Sequence, residues 1–385
     1  MRNDNKVDIE GYTDIQQEIE ILQKYSLGRT SEKGQVSQII DRLHPKTLQL
    51  QVSRVLKETE STITLRLVAE EGYLPPFQAG QYINLFTEVN GVRTSRPYSI
   101  SSPPHQTGYY DITIRQVADG FVSKHFITRI KPGTRLESSS PAGQFYHNPL
   151  FHGDDLIFLA GGSGITPFMS MIREVTDRGI DRRMHLIYGC RTEDDVVFEK
   201  ELQERAATFS NFKLSLVISE PTIGFNGPSG FITADLIRKR IGDLENRMFY
   251  VCGPEAMYSF VLDELQRAEI PNRLIRREVF GPPADITTQA GWPESVKKED
   301  TFSMTFNNSQ PIETRANEPL MNSLERAGLI LPAQCRSGEC SLCRTRLVSG
   351  RVFQPRGVKL RKSDQKFGYI HPCMAYPLED LELML

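Results

Sequence analysis

The sequence predicts a multidomain fold: an antiparallel β-barrel, then an α/β domain on a mainly parallel sheet, then a smaller cysteine-bearing domain. Three observations carry this. Apolar and polar residues alternate with period two from Leu48 to about Gly143. Continuous apolar strands alternate with amphipathic helices from about Asp154, and four cysteines gather after Leu331. At 385 residues the chain can hold two to three separate cores.

Residues 1–45 read as a small helical extension. Ile15, Ile19 and Leu22 recur at helical spacing, with Thr13 or Asp14 as a cap. Val36, Ile39, Ile40 and Leu43 form a second pattern after Thr30 and Ser31, and Pro45 ends it. Both helices can pack against the next domain or offer a docking element, since so small a core cannot stand alone.

Residues 46–150 carry the strand pattern, LQLQVSRVL, STITLRLV, FQAGQYINLF and YDITIRQV, which at this spacing reads as a small barrel. Two islands here look chemical. Arg96-Pro97-Tyr98-Ser99 packs a guanidinium, an aromatic ring and a hydroxyl into four residues. That set suits a flavin: Tyr98 to cover it, Arg96 to pair with phosphate, Ser99 to hydrogen-bond the reactive ring edge. Gly120-Phe121-Val122-Ser123 precedes a predicted helix, and a glycine-containing turn there offers free N–H groups to a pyrophosphate. Singly, a barrel tyrosine and a plain helix cap would look the same.

Residues 151–280 switch to α/β. DDLIFLAGGSGITPFMSMIREV reads as strand, glycine-rich turn and helix, so Gly161, Gly162 and Gly164 can let a dinucleotide's phosphates approach a helix N-terminus. The turn does not follow the G-x-G-x-x-G spacing, and the comparison rests on mechanism. HLIYGCR, FKLSLVIS and RMFYVCG supply further strands. Gly161 to Thr166 and Cys252-Gly253-Pro254 both fall at carboxyl ends of strands, where such sheets bind ligands.

Residues 281–300, which open GPPADITTQAGWPE after Phe280, are a Pro/Gly linker to residues 301–385. There Cys335, Cys340 and Cys343 stand as C-x4-C-x2-C, with Cys373 thirty residues on, which is the plant-type [2Fe–2S] spacing. Gly338 with the small Ser337 and Ser341 lets the loop fold tightly, so amides can point at sulfur. Structural zinc prefers two short C-x2-4-C pairs, and a chain this long with six cysteines does not need disulfides.

Composition narrows the rest. A formal charge of −2 and no basic stripe argue against nucleic acid as the partner. No apolar run approaches the ~18–20 residues of a membrane span. The polar N-terminus MRNDNKVDIEGY is not a secretory signal, so a reduced, cytoplasmic setting is expected. His125, His147, His152 and His185 lack ligand spacing and read as structural.

Taken in order, Arg96 to Ser99, Gly120 to Ser123, Gly161 to Pro167, Cys252 to Pro254, Glu278-Val279-Phe280 and the four cysteines resemble the ferredoxin–NADP reductase superfamily. The resemblance is narrower to its three-part members with a C-terminal plant-type ferredoxin domain, an α+β (β-grasp) fold, and covers about residues 48–385. It implies that Arg96, Pro97, Tyr98 and Ser99 hold the flavin, with Ser99 near its reactive nitrogen. Ile114, Arg115, Gly120, Val122 and Ser123 would bind its phosphates, with Thr166 and Pro167 beside the ring system. Gly161, Gly162, Gly164, Cys252, Gly253 and Pro254 would hold the nicotinamide dinucleotide. Glu278 and Phe280 fall where the family brings a chain end to the ring, which makes Ser99, Cys252 and Glu278 the candidate catalytic residues. For Cys252 a plain core thiol is the competing role. Cys335, Cys340, Cys343 and Cys373 would ligate the cluster. Ser341 departs from the family, where glycine is frequent.

The Gly120-x-x-Ser123 turn and Ser163 resemble members using FAD rather than FMN. Glu193, Asp194 and Asp195 against Arg191 favour NADH over NADPH, because a 2′-phosphate wants arginines. Residues 301–385 hold eleven Lys and Arg against eight Asp and Glu, which suggests a protein electron acceptor with an acidic docking face or else only a solvated loop. The implied activity is an NADH-dependent reductase passing electrons through FAD and [2Fe–2S] to a separate partner: an oxygenase, a demethylase or a hybrid-cluster protein. The rivals are a self-sufficient reductase of a quinone or ferric chelate, and a redox-sensing or assembly subunit.

Overall fold

The structure, a computed structural model, describes residues 12–25, 30–117, 120–307 and 309–384. Residues Met1–Lys46 form one compact unit and Thr47–Leu385 another. In the first, α1 (Tyr12–Tyr25) and α2 (Thr30–Leu43) are helical as the spacing predicts. Thr13 and Asp14, read as the cap of α1, lie inside it instead, because the helix already runs from Tyr12. Ile19, Ile21, Val36, Ile39, Ile40 and Leu43 are exposed.

The second unit opens with six antiparallel strands. They are β1 (Thr47–Thr59), β2 (Thr62–Ala69), β3 (Tyr82–Val89), β4 (Val92–Ser99), β5 (Tyr110–Arg115) and β6 (Arg135–Ser139), with α3 (Phe121–Arg129) before β6. Their order is β4-β3-β6-β1-β2-β5, and a bridge from Ile100 to Ile112 brings the two edges together. The period-two residues Leu48, Leu50 and Val52 point inward with Ile83, Leu85, Ile112 and Ile114. Arg96 to Ser99 end β4 and Arg115 ends β5.

Next comes a five-stranded parallel sheet of β7 (Asp155–Gly161), β8 (Arg183–Cys190), β9 (Phe212–Ile218), β10 (Met248–Cys252) and β11 (Ile275–Glu278), ordered β11-β10-β7-β8-β9. The connecting helices are α4 (Ile165–Arg178), α5 (Glu199–Thr208), α6 (Ala234–Ile241) and α7 (Glu255–Arg267). Strand order reverses between β7 and β10, which pair with Cys252 opposite Ala160. Both ligand-binding segments anticipated from the sequence therefore leave neighbouring strands at the switch point, where open α/β sheets build sites.

The last sheet holds β12 (Thr301–Phe306), β13 (Ile312–Arg315), β14 (Thr345–Ser349), β16 (Tyr369–Ile370) and β18 (Leu381–Met384), ordered β13-β12-β18-β14-β16. A small ribbon pairs β15 (Val352–Phe353) with β17 (Tyr376–Pro377). Helices α8 (Leu320–Arg326) and α9 (Lys362–Lys366) complete this domain. Terminal strands β12 and β18 run parallel in the middle, the rest pairing antiparallel around them. Together these sheets are the predicted architecture: antiparallel barrel, parallel α/β sheet and α+β ferredoxin-type domain.

Gly164 shows why the glycine turn tolerates no side chain. A Cβ there would stand 2.2 Å from the Cys252 carbonyl oxygen and 2.6 Å from the Gly253 nitrogen, so the two backbones could not meet. Gly164→Ala should cost about 1–3 kcal/mol or more through overpacking. In urea this reads as a lower midpoint at unchanged slope; an unshifted midpoint would mean that the two segments separate freely.

Candidate functional site

A cleft of about 480 Å³ opens where the three sheets meet. Arg96, Pro97, Tyr98 and Ser99 line one wall, Arg115, Gly120, Val122 and Ser123 the next, and Ser163 and Thr166 bring in the glycine turn. Phe280 lines it from the chain leaving β11. The fourth wall belongs to the cysteine domain: Pro319, Met321, Asn322, Arg336 and Cys373. Of this wall the sequence points only to Cys373, as a cluster ligand; Pro319, Met321, Asn322 and Arg336 carry no signal beyond the adjacency of Arg336 to Cys335.

Arg96 is held by neutral oxygens, its Nη1 donating to Thr94 Oγ1 at 2.8 Å and to the Ser95 carbonyl at 2.7 Å. Burial, and then the neighbouring Arg336, pull its pKa down to about 10. A cation stressed in this way gains from an anion placed in the cleft. Tyr98 meets Phe126 edge-on at 5.7 Å, which fixes its ring. Arg115 donates through Nη2 to Asp195 at 3.0 Å, so the barrel's arginine is tied to the segment after β8. Ser123 Oγ accepts from the Val117 N–H at 3.1 Å. Ile114 contributes no side chain to the cleft; it is fully buried in the barrel core.

Ser99 and Glu278 sit in a smaller recess beside the cleft, with Tyr82, Cys335 and Glu339. Both are buried, and Ser99 Oγ and Glu278 Oε2 lack a hydrogen-bond partner. Orphaned polar atoms at the mouth of a cleft are what a heteroaromatic ring with its own donors and acceptors would satisfy. The donor set therefore fits a flavin. Burial, and then the Glu339 carboxylate, push the Glu278 pKa up to about 8.

Gly161, Gly162, Gly164, Pro167, Cys252, Gly253 and Pro254 cluster at the switch point and put no side chain among the cleft's lining. Cys252 is fully buried within the α/β core, and burial, with Glu278 nearby, raises its thiol far above the ordinary range. Its sulfur is thus held as a protonated thiol at the sheet end. Glu193 accepts from Thr222 N–H at 3.0 Å and Thr222 Oγ at 2.7 Å, and Asp195 faces both Arg115 and Arg191. Of the three carboxylates read as selecting the dinucleotide, two are thus also structural ties.

The cysteine loop is built on left-handed residues. Arg336, Gly338 and Ser341 have φ of +51°, +76° and +59°. At Ser341 the serine thus holds a left-handed conformation in which glycine would be easier. These turns aim the N–H groups of Ser337, Glu339 and Cys340 at Cys335 Sγ, at 3.4, 3.3 and 3.3 Å. Cys343 and Cys373 sulfurs lie 3.4 Å apart. Among the described residues no three His, Cys, Asp or Glu side chains form a single metal cage. Cys335 and Cys340 are hydrogen-bonded to each other as a second pair, and two thiol pairs in one loop region fit the [2Fe–2S] centre that the spacing implies. His371 Nδ1 meets the Gly338 carbonyl at 3.1 Å and steadies the loop from behind. His152 bonds to Tyr250, His185 to Ser215 and His147 to the Gly153 carbonyl.

Glu278 makes a pH prediction for the cofactor-free protein. Its folded pKa near 8 lies above its unfolded value, so the native state keeps a proton that the unfolded chain has lost. Stability should fall from about pH 4.5 to 8, by up to about 1.4 kcal/mol per unit, and level off above. Glu278→Gln should remove this component from the urea midpoint profile. Identical profiles for variant and parent would show that the carboxyl is not perturbed.

Comparison with known proteins agrees with this geometry. Residues 47–147 match the oxidoreductase FAD-binding domain family, 158–263 the oxidoreductase NAD-binding domain family and 305–378 the 2Fe-2S iron-sulfur cluster binding domain family. The glycine betaine monooxygenase reductase subunit of Pseudomonas aeruginosa is 28% identical over 340 residues, 85% of this chain and 92% of that one. An NADPH oxidoreductase of Mycobacterium tuberculosis is 30% identical, covering 80% of this chain and 77% of that one. The solved structure of phthalate dioxygenase reductase superposes with a TM-score of 0.66 at 26% identity, over 88% of this chain and 98% of the other. The chain accordingly belongs to the ferredoxin–NADP reductase superfamily, in its branch of oxidoreductases with an FAD-binding, an NAD-binding and a [2Fe–2S] domain.

Proposed function

We propose that this protein is the reductase component of a two-protein system, drawing on NADH and delivering single electrons to a separate redox partner such as an oxygenase. The observation that carries it is the shared wall: Cys373, a proposed cluster ligand, lines the same cleft as Arg96 to Ser99. When bound, a flavin takes the two electrons of a hydride and a [2Fe–2S] cluster passes electrons singly, which is the chemistry the two groups supply.

The chain's own residues do the positioning. Arg96 and Arg115 supply positive charge for phosphates, Tyr98 covers one ring face, and Ser99 offers a buried hydroxyl at the ring edge. Glu278, protonated near neutral pH, can donate rather than repel there. Phe280, partly exposed, lines both the cleft and the recess and limits water. Gly161 to Thr166 and Cys252 to Pro254 present backbone to the dinucleotide at the switch point. NADH is favoured because Glu193, Asp194 and Asp195 follow β8 against the one Arg191, where a 2′-phosphate wants an arginine cluster. We read residues 46–150, 151–280 and 301–385 as the three working domains.

For the partner we propose an acidic docking face. Leu342, between two cluster cysteines, is exposed. Lys359 is tied to the same loop through Glu339 and Gly338, and Arg361, Lys362 and Lys366 follow on exposed positions. An apolar point with a basic rim suits a complementary carboxylate surface. The six cysteines are all free, in keeping with a reducing, cytoplasmic setting.

Cys335→Ser tests the division of labour. It should abolish cluster content and cytochrome c reduction while leaving NADH–ferricyanide turnover within about twofold, as expected where two sites act independently. Equal loss of both activities in a folded variant would contradict it. Electron delivery to the native partner should also fall as salt rises, since charge steering is screened beyond about 8 Å at physiological ionic strength; a salt-independent rate would remove the acidic face.

A further inference from the structure

Arg336, the residue after Cys335, makes a two-point ion pair with Glu325 of α8: Nη1 to Oε1 at 2.8 Å and Nη2 to Oε2 at 2.9 Å. The side chains are only 5% and 8% exposed. The pair does not end at its own domain. Arg336 Nη1 also donates to the Ser95 carbonyl of β4 at 2.7 Å, and Thr94 Oγ1 donates to Glu325 Oε2 at 2.9 Å. Each partner of one buried ion pair thus grips the same barrel strand, whose next residues are Arg96 to Ser99. A second tie lies close by, from Asn84 Nδ2 to the Ala333 carbonyl at 2.9 Å.

A buried ion pair is a weak source of net stability, because desolvating two charges offsets most of their attraction. What such a pair supplies is geometry. A fork of guanidinium donors on a carboxylate allows few orientations, and here the remaining donor and acceptor capacity is spent across the domain seam. Arg336 also holds φ +51°, a conformation that a non-glycine residue keeps only when its surroundings over-determine it. Cys335 on one side and Cys373 at the cleft wall are therefore held in register with β4.

Resting on the electron-transfer reading above, we propose that the Arg336–Glu325 pair is a latch that fixes the cysteine loop on strand β4 and so sets the separation between cluster and flavin. It is a positioning device: it makes and breaks no bond. Without it both sites keep their own residues, and the register between them loosens.

Full-length Glu325→Gln and the double variant Glu325→Leu with Arg336→Met test this. Glu325→Gln should retain flavin, iron and sulfide, and its flavin should be reduced by NADH within about twofold of the parent rate in anaerobic stopped flow. Its cluster should be reduced at least about tenfold more slowly, since a misplacement of about 1 Å can cost about a hundredfold. Independently of any redox readout, amides of residues 93–96 should exchange hydrogen at least about tenfold faster. The double variant should melt higher than Glu325→Gln, having no unpaired buried guanidinium, yet remain slow and unprotected. Unchanged exchange at residues 93–96 in both variants overturns the latch. Faster exchange with undiminished cluster reduction overturns its positioning role. If Glu325→Gln does not fold, Thr94→Val removes the tie to Glu325, along with the hydroxyl that Arg96 and Arg336 also use, and is read by the same exchange measurement alone. A parent protein that binds neither flavin nor cluster would defeat the electron-transfer reading instead, and the exchange result would still decide whether the latch exists.

Discussion

The seam between strand β4 and the cysteine loop is the constraint on which the rest of the molecule depends. A donor that gives electrons in pairs and an acceptor that takes them singly can share one chain only if their two sites are near and fixed. Here the seam is polar and buried: Arg336 and Glu325 on one side, Thr94, Ser95 and Asn84 on the other. Hydrogen bonds of this kind contribute modest net stability each, but leaving any of them unmade costs the full desolvation of the group. That asymmetry makes the docked arrangement specific.

The three sheets serve this seam differently. The barrel ends β4 and β5 at Ser99 and Arg115, so one end of one sheet carries most of the side chains in the cleft. The parallel sheet brings two glycine-containing turns together at its switch point, where Gly164 lies against the Cys252 carbonyl. The third domain uses left-handed residues to gather amides around one cysteine and sends Cys373 to the shared wall. Nothing in this arrangement calls for a nucleophile or a hydrolytic metal. Its work is placement and electrostatics.

Much of this was legible in the sequence, for physical reasons that differ by element. Period-two alternation exposes a barrel because each strand has one wet face, and cysteine spacing exposes a cluster because thiolate ligands are few and must lie at fixed separations. Arg96 to Ser99 could be read because three unlike functional groups within four residues are improbable as packing alone. The seam was not legible. Glu325 sits in NSLER, where it reads as a solvated helix carboxylate, and the Ser95 carbonyl is backbone that no side-chain pattern reports. Glu193 and Asp195 could be seen as acidic, yet their ties to Thr222 and Arg115 join segments far apart in the chain. Ile114 has the same origin: a residue adjacent to a site in sequence whose side chain faces the opposite way, into the core.

The central claim is that electrons pass from the flavin site to the cluster site within one chain. Anaerobic stopped flow of the reconstituted protein with excess NADH, followed at flavin and cluster absorbance over a wide range of protein concentration, tests it most directly. The account predicts that cluster reduction follows flavin reduction at a rate independent of protein concentration. A rate that rises in proportion to concentration, or a cluster that stays oxidised while the flavin is reduced, would contradict it.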